Sequence, residues 1–183
     1  MLALARTALV EEGLERFVLR EIATQAGMRI GNLQYYFPTR EDLLEEVIRA
    51  EFDRDLAVVR GVIGDDGPRT PVERLPSIAA GLLDNWCSGG SSVFTALSLL
   101  AFHHPRFAEL ARQIYATFYA EIGSLVRSID PDAGDDEVTA RAVLITAMLD
   151  GVAMQVHTAL CDDATCKDLI TRATAFVESI ATG

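Results

Sequence analysis

The chain has 183 residues, of which 50% are hydrophobic and 23% charged, and its formal net charge at pH 7 is −11. This composition is typical of a globular protein with a buried core, and it excludes a disordered chain. The longest apolar runs are too short to span a membrane, and the N-terminus lacks a signal-peptide pattern, so we expect a cytoplasmic protein without a membrane partner.

The first three predicted helices are short and are separated by glycine-containing turns. Hydrophobic residues at helical spacing predict a first helix that ends at Gly13 and a second one, over residues 19–26, that ends at Gly27. A third short helix follows and continues through Phe37. Pro38 then breaks the pattern, because proline lacks the amide hydrogen that a continuing helix needs.

Longer helices are predicted for the rest of the chain. Thr39 is placed to cap a fourth helix from Arg40 to about Ile63, and Asp42 favours the positive end of that helix. The segment 64–71 is rich in glycine, proline and aspartate, which is typical of a boundary between domains. Further helices are expected near residues 72–88, 91–103, 105–129, 136–160 and 164–181, with one break at Gly89–Gly90. Because no convincing strand pattern occurs, the predicted fold is all-α.

The three cysteines, Cys87, Cys161 and Cys166, form no CxxC pair. An odd number without this spacing argues against a disulfide framework and against a structural zinc site. We therefore expect buried thiols that act as small hydrophobic side chains.

The region from Arg16 to Arg40 has a charge opposite to that of the whole chain. It contains four arginines and one acidic residue, for a local net charge of +3, whereas residues 50–183 carry −9. A small basic region on an acidic protein indicates a local surface for a negatively charged partner.

Two short helices joined by a glycine-containing turn, with a helix before them, are typical of a helix-turn-helix unit. The second of these helices must enter the major groove of DNA, so it needs a buried face, predicted as Ile30, Leu33 and Phe37, and a polar face. The aromatic residues at 35, 36 and 37 cannot all point inward, because successive helix positions differ by about 100°. The predicted DNA-binding residues are Arg20, Arg29, Asn32, Gln34, Tyr35, Tyr36, Thr39 and Arg40, with Arg29, Asn32 and Gln34 placed to read bases and Tyr35, Tyr36, Thr39 and Arg40 placed to hold phosphates.

The stretch LREIATQAGMRIGNLQYYFPTREDLL resembles the DNA-binding domain of TetR-family transcriptional regulators, whose pattern has the form xxIAxxAGVSxGTLYYYFxSKExLL. The resemblance covers residues 1 to about 48. It implies an N-terminal three-helix helix-turn-helix domain at 1–48 and a larger helical domain for ligand binding and dimerisation at 49–183.

The sequence departs from the family pattern at several positions. Phe17 and Val18 stand where the family usually has a threonine that caps the second helix, so we expect that cap to be missing. Asn32 and Gln34 replace the usual threonine and tyrosine, which shifts base reading toward amide side chains. The sequence also begins within the first helix, so the basic arm that often precedes this helix in the family is either absent from the protein or lies upstream of the sequence.

The resemblance further implies a ligand-responsive regulator, most commonly a repressor that a small-molecule effector releases from a palindromic double-stranded DNA operator. In the family, the effector changes the spacing of two recognition helices in a homodimer. The second half of this chain offers apolar and aromatic clusters that could line a pocket. The residues predicted to contact the effector are Trp86, Phe94, Phe118, Tyr119, Asp150 and Met154.

The last two predicted helices, 136–160 and 164–181, are apolar on more than one face. Small residues such as Ala142, Ala147 and Gly151 allow another helix to approach closely. The two helices are therefore expected to pack against their twofold copies as a four-helix bundle. A homodimer would present two recognition helices to a palindromic site.

Two other classes of function fit the sequence less well. One is an all-helical small-molecule-binding protein with a degenerate helix-turn-helix. The other is an enzyme, but no GxSxG, HExxH or phosphate-binding glycine loop occurs, so we predict no catalytic residues and no cofactor. A metal site could use His103, His104 or the pair His157 and Cys161, but adjacent histidines point apart on a helix, and no metal ligands are predicted.

Overall fold

The computed structural model describes residues 1–65, 67–158 and 162–183. Helices make up nearly all of these residues, and no strand occurs among them, as the all-α prediction expected. The helices are α1 (Leu2–Glu12), α2 (Leu19–Gln25), α3 (Ile30–Tyr36), α4 (Arg40–Ile63), α5 (Pro71–Asn85), α6 (Ser91–His103), α7 (Pro105–Ile129), α8 (Asp135–His157) and α9 (Asp163–Thr182).

Two of the predicted interruptions differ from the structure. The break expected at Gly89–Gly90 is wrong, because a π-helical turn over Trp86–Gly90 carries the chain from α5 into α6. The helix expected to reach residue 160 ends at His157, and residues 159–161 lie outside the described part of the chain.

The predicted start of α4 is confirmed. The backbone N–H of Thr39 donates to Asp42 Oδ2 at 2.9 Å, and the backbone N–H of Asp42 donates to Thr39 Oγ1 at 3.2 Å. This reciprocal pair satisfies two free amides at the helix N-terminus. The predicted loss of a cap at α2 is also confirmed, since Val18 makes no side-chain capping bond, while the neighbouring Phe17 is fully buried.

The chain divides into two compact units. The first consists of Met1–Asp53 and Ser92–Arg112, and the second of Arg54–Ser91 and Gln113–Gly183. The first unit therefore extends past the predicted domain boundary at residue 48, and it takes in most of α6 and the beginning of α7.

The first unit has its own core beneath the helix-turn-helix segment. A bidentate ion pair braces this core, because Arg6 Nε and Nη2 donate to the two carboxylate oxygens of Glu51 at 2.6 and 2.8 Å, and Glu51 is almost completely buried. The ion pair joins α1 to α4. The fully buried side chains of the unit include Leu9, Phe17, Ile22, Leu33, Leu43, Leu44, Ile48 and Phe107.

The second unit is a bundle of α5, α7, α8 and α9 with the C-terminal half of α4. Its core is aliphatic for the most part, with Trp86 and Phe118 as the buried aromatic side chains. None of the helices in the described residues is both long and apolar enough to cross a bilayer.

The expectation of buried thiols does not hold for either cysteine that the structure describes. Cys166 is buried but disulfide-bonded, whereas Cys87 carries a free thiol that is only half-buried. Burial raises the pKa of the Cys87 thiol, and the charge of Asp84 raises it further. Cys161 lies outside the described residues.

Candidate nucleic-acid interface

Helix α3 has one buried face and one exposed polar face. Leu33 is only 1% exposed, and it anchors the helix as predicted, while Ile30 and Phe37 are half-buried. Asn32 and Gln34 lie on the surface. The side chains that could reach a base edge therefore point away from the core.

The two tyrosines at the end of α3 are strongly exposed. Tyr35 is 81% exposed and Tyr36 is 70% exposed, and their rings meet edge to face with centroids 5.2 Å apart. An aromatic residue at such exposure gains little from the core of its own protein. Their hydroxyl groups are available to a partner such as a phosphate.

The turn between α2 and α3 depends on Gly27. This residue has a φ of +65°, a conformation that glycine adopts without strain. The N–H of Gly27 donates to Thr24 O, and the N–H of Met28 donates to Ala23 O, both at 3.0 Å. These bonds end α2 with two of its carbonyls satisfied and direct the chain into α3.

Arg20 and Arg29 remain as exposed cations beside α3. Within the described part of the chain, neither guanidinium forms an ion pair, so both charges are free to attract phosphates. Gly31 is also exposed, and a Cβ built on it meets nothing within 4 Å. The protein itself therefore leaves the space above Gly31 open to a close approach.

Two residues that were predicted to hold phosphates are engaged within the protein. Arg40 donates from Nε to Phe17 O at 2.8 Å and from Nη2 to Leu14 O at 2.5 Å. The hydroxyl of Thr39 donates to Asp42 Oδ2 at 2.6 Å. The structure thus gives both side chains a structural role, and a phosphate contact by either stays a prediction.

Replacing Arg40 with alanine is expected to lower the free energy of unfolding by about 2 kcal/mol, because two backbone carbonyls lose a charged donor. Urea denaturation followed by circular dichroism measures this change. Arg49→Ala is the matched control, since Arg49 is an exposed arginine about two and a half turns further along α4 that pairs locally with Glu45. It should cost about 0.5 kcal/mol or less. Equal losses in the two variants would contradict the structural role of Arg40.

A second group of polar side chains lies inside the second unit. The indole N–H of Trp86 donates to Asp55 Oδ2 at 2.8 Å, and Asn85 Nδ2 donates to Asp55 Oδ1 at 2.5 Å. Tyr115 donates its hydroxyl to Asp150 Oδ2 at 3.0 Å. Trp86 and Asp150, both predicted from the sequence as effector contacts, therefore belong to two carboxylate sites, of which Asp55 is buried and Asp150 half-buried.

The ionisation of Asp150 is shifted by this environment. Burial raises the pKa of Asp150 to about 7, against the opposing effect of the hydrogen bond from Tyr115, and the charge of Asp55 raises it further. Burial and the Asp150 carboxylate likewise raise the pKa of Tyr115, and they raise the pKa of Tyr119 in the same direction. A carboxyl that changes charge near neutral pH is unusual for a purely structural aspartate.

The other predicted effector contacts occupy different places. Phe118 is 3% exposed and belongs to the core of the second unit, with Tyr119 at its edge. Met154 is half-buried on α8. Phe94 lies in the first unit and not with the others.

Sequence reasoning missed Asp55 and Asn85, and it did not place Tyr115 among the effector contacts. Asp55 is 2% exposed, and it stands beside Leu56 on the inward face of α4. The sequence did contain a signal for Asp55, because a carboxylate on the apolar face of an amphipathic helix indicates a buried polar site. Among the described residues, no group of three or more potential metal ligands comes together.

Comparison with known proteins identifies two regions of the chain. Residues 1–47 match the family described as bacterial regulatory proteins, tetR family, and residues 71–182 match the C-terminal region of BetI-type transcriptional repressors. The HTH-type transcriptional repressor KstR2 of Mycobacterium tuberculosis is 32% identical over 78 residues, which are 43% of this chain and 38% of that protein. KstR2 of Mycolicibacterium smegmatis is 31% identical over 78 residues, which are 43% of this chain and 37% of that protein. These matches thus span well under half of the length of the curated relatives.

Solved structures extend the similarity to the whole fold. A transcriptional regulator from Rhodococcus sp. RHA1 superposes with a TM-score of 0.80 at 26% identity, covering 100% of this chain and 96% of that one. A regulator from Pseudomonas aeruginosa PAO1 also gives a TM-score of 0.80, at 18% identity, and covers 100% of this chain and 88% of that one. With both of its regions matched, the chain belongs to the TetR family of bacterial regulatory proteins.

Proposed function

We propose that this protein is a DNA-binding transcriptional repressor that acts in the cytoplasm as a homodimer and leaves a palindromic operator when a small-molecule effector binds. The observation that carries this proposal is the exposed polar face of α3, on which Asn32, Gln34, Tyr35 and Tyr36 all point outward while Leu33 is buried. The KstR2 relatives are named transcriptional repressors, which supports repression over activation. They favour this function over a ligand-binding protein with a degenerate helix-turn-helix.

The proposed contacts on DNA fall into two groups. Asn32 and Gln34 carry amide groups, which pair well with the major-groove edge of adenine, and they would read bases. Arg20, Arg29 and the two tyrosines would attract or bind phosphates, which position the helix without reading sequence.

The proposed dimer interface is the outer face of α8 and α9. Leu144 is 57% exposed and Phe176 is 58% exposed, although both are large apolar side chains. Beside Phe176 runs an apolar groove of about 610 Å³ that Met148, Val152 and Leu169 help to line. Exposed apolar surface of this kind is typical of a protein–protein interface, and the face is continuous along two helices, as a four-helix bundle requires.

The proposed effector site includes the polar group around Asp150. Tyr115, Tyr119 and Asp150 lie within the second unit, and they combine aromatic surface with groups that can donate or accept hydrogen bonds. Small-molecule sites are typically apolar with a few such groups. A change in this region on binding would reach the first unit through α4 and α7, which both run from one unit into the other.

Fluorescence polarisation with a labelled duplex from upstream of the protein's own gene tests the proposal. A repressor should bind this duplex at nanomolar concentrations and lose affinity steeply when the salt concentration rises, because bound cations are released from the phosphates that it contacts. A scrambled duplex of equal length is the control. If no sequence-specific complex forms at micromolar protein, on this duplex or on any selected from a random library, the protein is not a DNA-binding repressor.

Substitutions on α3 should separate base reading from phosphate binding. Gln34→Ala is expected to weaken the operator complex about tenfold or more while leaving non-specific binding nearly unchanged, since each bidentate base contact is worth about 1–3 kcal/mol of discrimination. Tyr36→Phe removes one hydroxyl and should weaken specific and non-specific complexes by the same factor. Affinities for operator and scrambled duplexes measure both effects. If both variants changed the affinities for operator and scrambled duplexes by the same factor, α3 would not be the recognition helix.

A further inference from the structure

Arg106, the second residue of α7, forms an ion-pair cluster with the first turn of α4. Its Nη2 donates to Asp42 Oδ1 at 2.8 Å, and its Nε donates to Glu45 Oε2 at 2.7 Å. One guanidinium thus joins two carboxylates that lie three residues apart on the same helix face. All three residues belong to the first unit, although the sequence separates Arg106 from Asp42 by 64 positions.

Both carboxylates in this ion-pair cluster have other fixed partners. Asp42 accepts from the hydroxyl and the backbone N–H of Thr39, and these two bonds, together with the one from Arg106, lower the pKa of Asp42. Burial raises the pKa of Glu45, but hydrogen bonds from Arg106 and Arg49 outweigh it, and the resulting pKa is below the usual range. An isolated exposed ion pair contributes little to stability, because two long side chains lose conformational entropy when it forms. In a network, a side chain that is already fixed forms a further ion pair at a smaller entropic cost.

The recognition segment, residues 30–45, begins with α3 and ends in the first turn of α4. Phe37 closes α3, and Thr39 begins the cap of α4 two residues later. In the same turn, Arg40 holds the carbonyls of Leu14 and Phe17, which lie just before α2. This turn is therefore connected to both helices of the helix-turn-helix, because it follows α3 directly and, through Arg40, holds the segment that precedes α2.

We propose that Arg106 is a positioning residue for DNA binding, which holds the first turn of α4, and with it α3, in the orientation that fits the major groove. This inference rests on the proposed function as a DNA-binding repressor. Without the ion-pair cluster, the same fold would populate other orientations of α3, and the apparent dissociation constant would rise by the inverse of the remaining competent fraction. Arg106 acts through Asp42 and Glu45 and needs no contact with DNA.

A direct contact between Arg106 and a phosphate is the competing explanation, and the sign of one effect separates the two. Glu45→Ala removes a negative charge, so simple electrostatics predicts tighter DNA binding. The positioning role predicts weaker binding, because Arg106 loses half of its anchorage. Arg106→Lys keeps the positive charge but not the planar fork that spans two carboxylates, so it should also weaken binding if positioning matters.

The test measures operator affinity at moderate salt for Arg106→Gln, Arg106→Lys and Glu45→Ala, using the duplex that the wild type selects. We expect Arg106→Gln and Glu45→Ala each to raise the dissociation constant about threefold to tenfold, and the pair together to do little more, because both break one cluster. Arg112→Gln is the matched control for charge, since Arg112 lies on the same helix and pairs locally with Glu109. Arg49→Ala is the control for the other partner of Glu45.

Hydrogen exchange of the free protein supplies a readout that does not depend on DNA. Amides of residues 30–45 should exchange faster in Arg106→Gln, whereas those of α9 should not change. If the variants bind DNA like the wild type, or if Glu45→Ala binds more tightly, the positioning role is wrong although the proposed function stands. If the wild type binds no DNA, the proposed function fails. Faster exchange of residues 30–45 in Arg106→Gln would then still show that Arg106 holds this segment, and unchanged exchange would show that it does not.

Discussion

Replacing Phe176 with glutamate is expected to convert the proposed dimer into a folded monomer and to weaken operator binding by about a hundredfold or more. Phe176 lies 58% exposed beside the α8–α9 groove, so a charge there costs the monomer little. In the dimer the same charge would be buried against apolar side chains without a partner, which is strongly unfavourable. A monomer presents one recognition helix instead of two, and it loses the gain from simultaneous binding to two half-sites.

Sedimentation velocity gives the oligomeric state of this variant, and circular dichroism confirms that it remains folded. Phe102→Glu is the matched control, because Phe102 is also a phenylalanine, 85% exposed, but lies on α6 in the first unit. This control should remain dimeric. A dimeric Phe176→Glu protein would place the interface elsewhere, and a monomer that binds the operator with wild-type affinity would contradict the need for two half-sites.

Local features of the helix-turn-helix could be predicted from the sequence because their partners are close in the chain. Leu33 is buried, as its helical spacing indicated, and Thr39 caps α4 with a residue three positions on. Gly27 ends α2 with a positive φ, which the position of a glycine after an apolar periodic run indicates. Such features depend on backbone geometry over a single turn, so a short sequence pattern contains them.

Long-range partners of arginine could not be predicted in this way. Arg40 was expected to face phosphate, yet its guanidinium reaches carbonyls 23 and 26 residues earlier in the chain. Arg106 carried no signal at all, since its carboxylate partners lie more than 60 residues away. A long charged side chain can meet any acceptor that folding brings near, and helical periodicity says nothing about which one.

The polar side chains inside the second unit were predicted only in part, for a related reason. Trp86 and Asp150 stood out as a large aromatic and a charge among apolar neighbours. Asp55 and Asn85 were missed, because the contact of Asp55 with Asn85 and Trp86 depends on how α4 packs against the end of α5. The error at Gly89–Gly90 has a different origin, since two glycines permit a π-helical turn as well as a break.

Replacing Asp150 with asparagine is expected to stabilise the protein above neutral pH and to remove part of its pH dependence. Burial raises the pKa of Asp150 to about 7 in the folded protein, whereas an aspartate in the unfolded chain has a pKa of about 3.9. Between these two values the folded state holds a proton that the unfolded state has lost, so wild-type stability should fall as the pH rises from about 4 through about 7. Asparagine cannot ionise, and its side-chain oxygen can still accept the hydrogen bond from Tyr115.

Urea denaturation at about pH 5.5 and at about pH 8.5 measures this effect, and the variant should gain roughly 2–4 kcal/mol over the wild type at the higher pH. Asp168→Asn is the matched control, because Asp168 is an exposed carboxylate on α9 that pairs with Arg172. It should leave the pH profile of stability unchanged. A loss of stability in Asp150→Asn at the higher pH would mean that the folded protein stabilises the carboxylate, and Asp150 would then be an ionised acceptor for Tyr115 at neutral pH. In that case the effector proposed to bind beside Tyr115 and Asp150 would meet a negative charge, whereas a carboxyl that titrates near 7 would give it a proton donor under mildly acidic conditions.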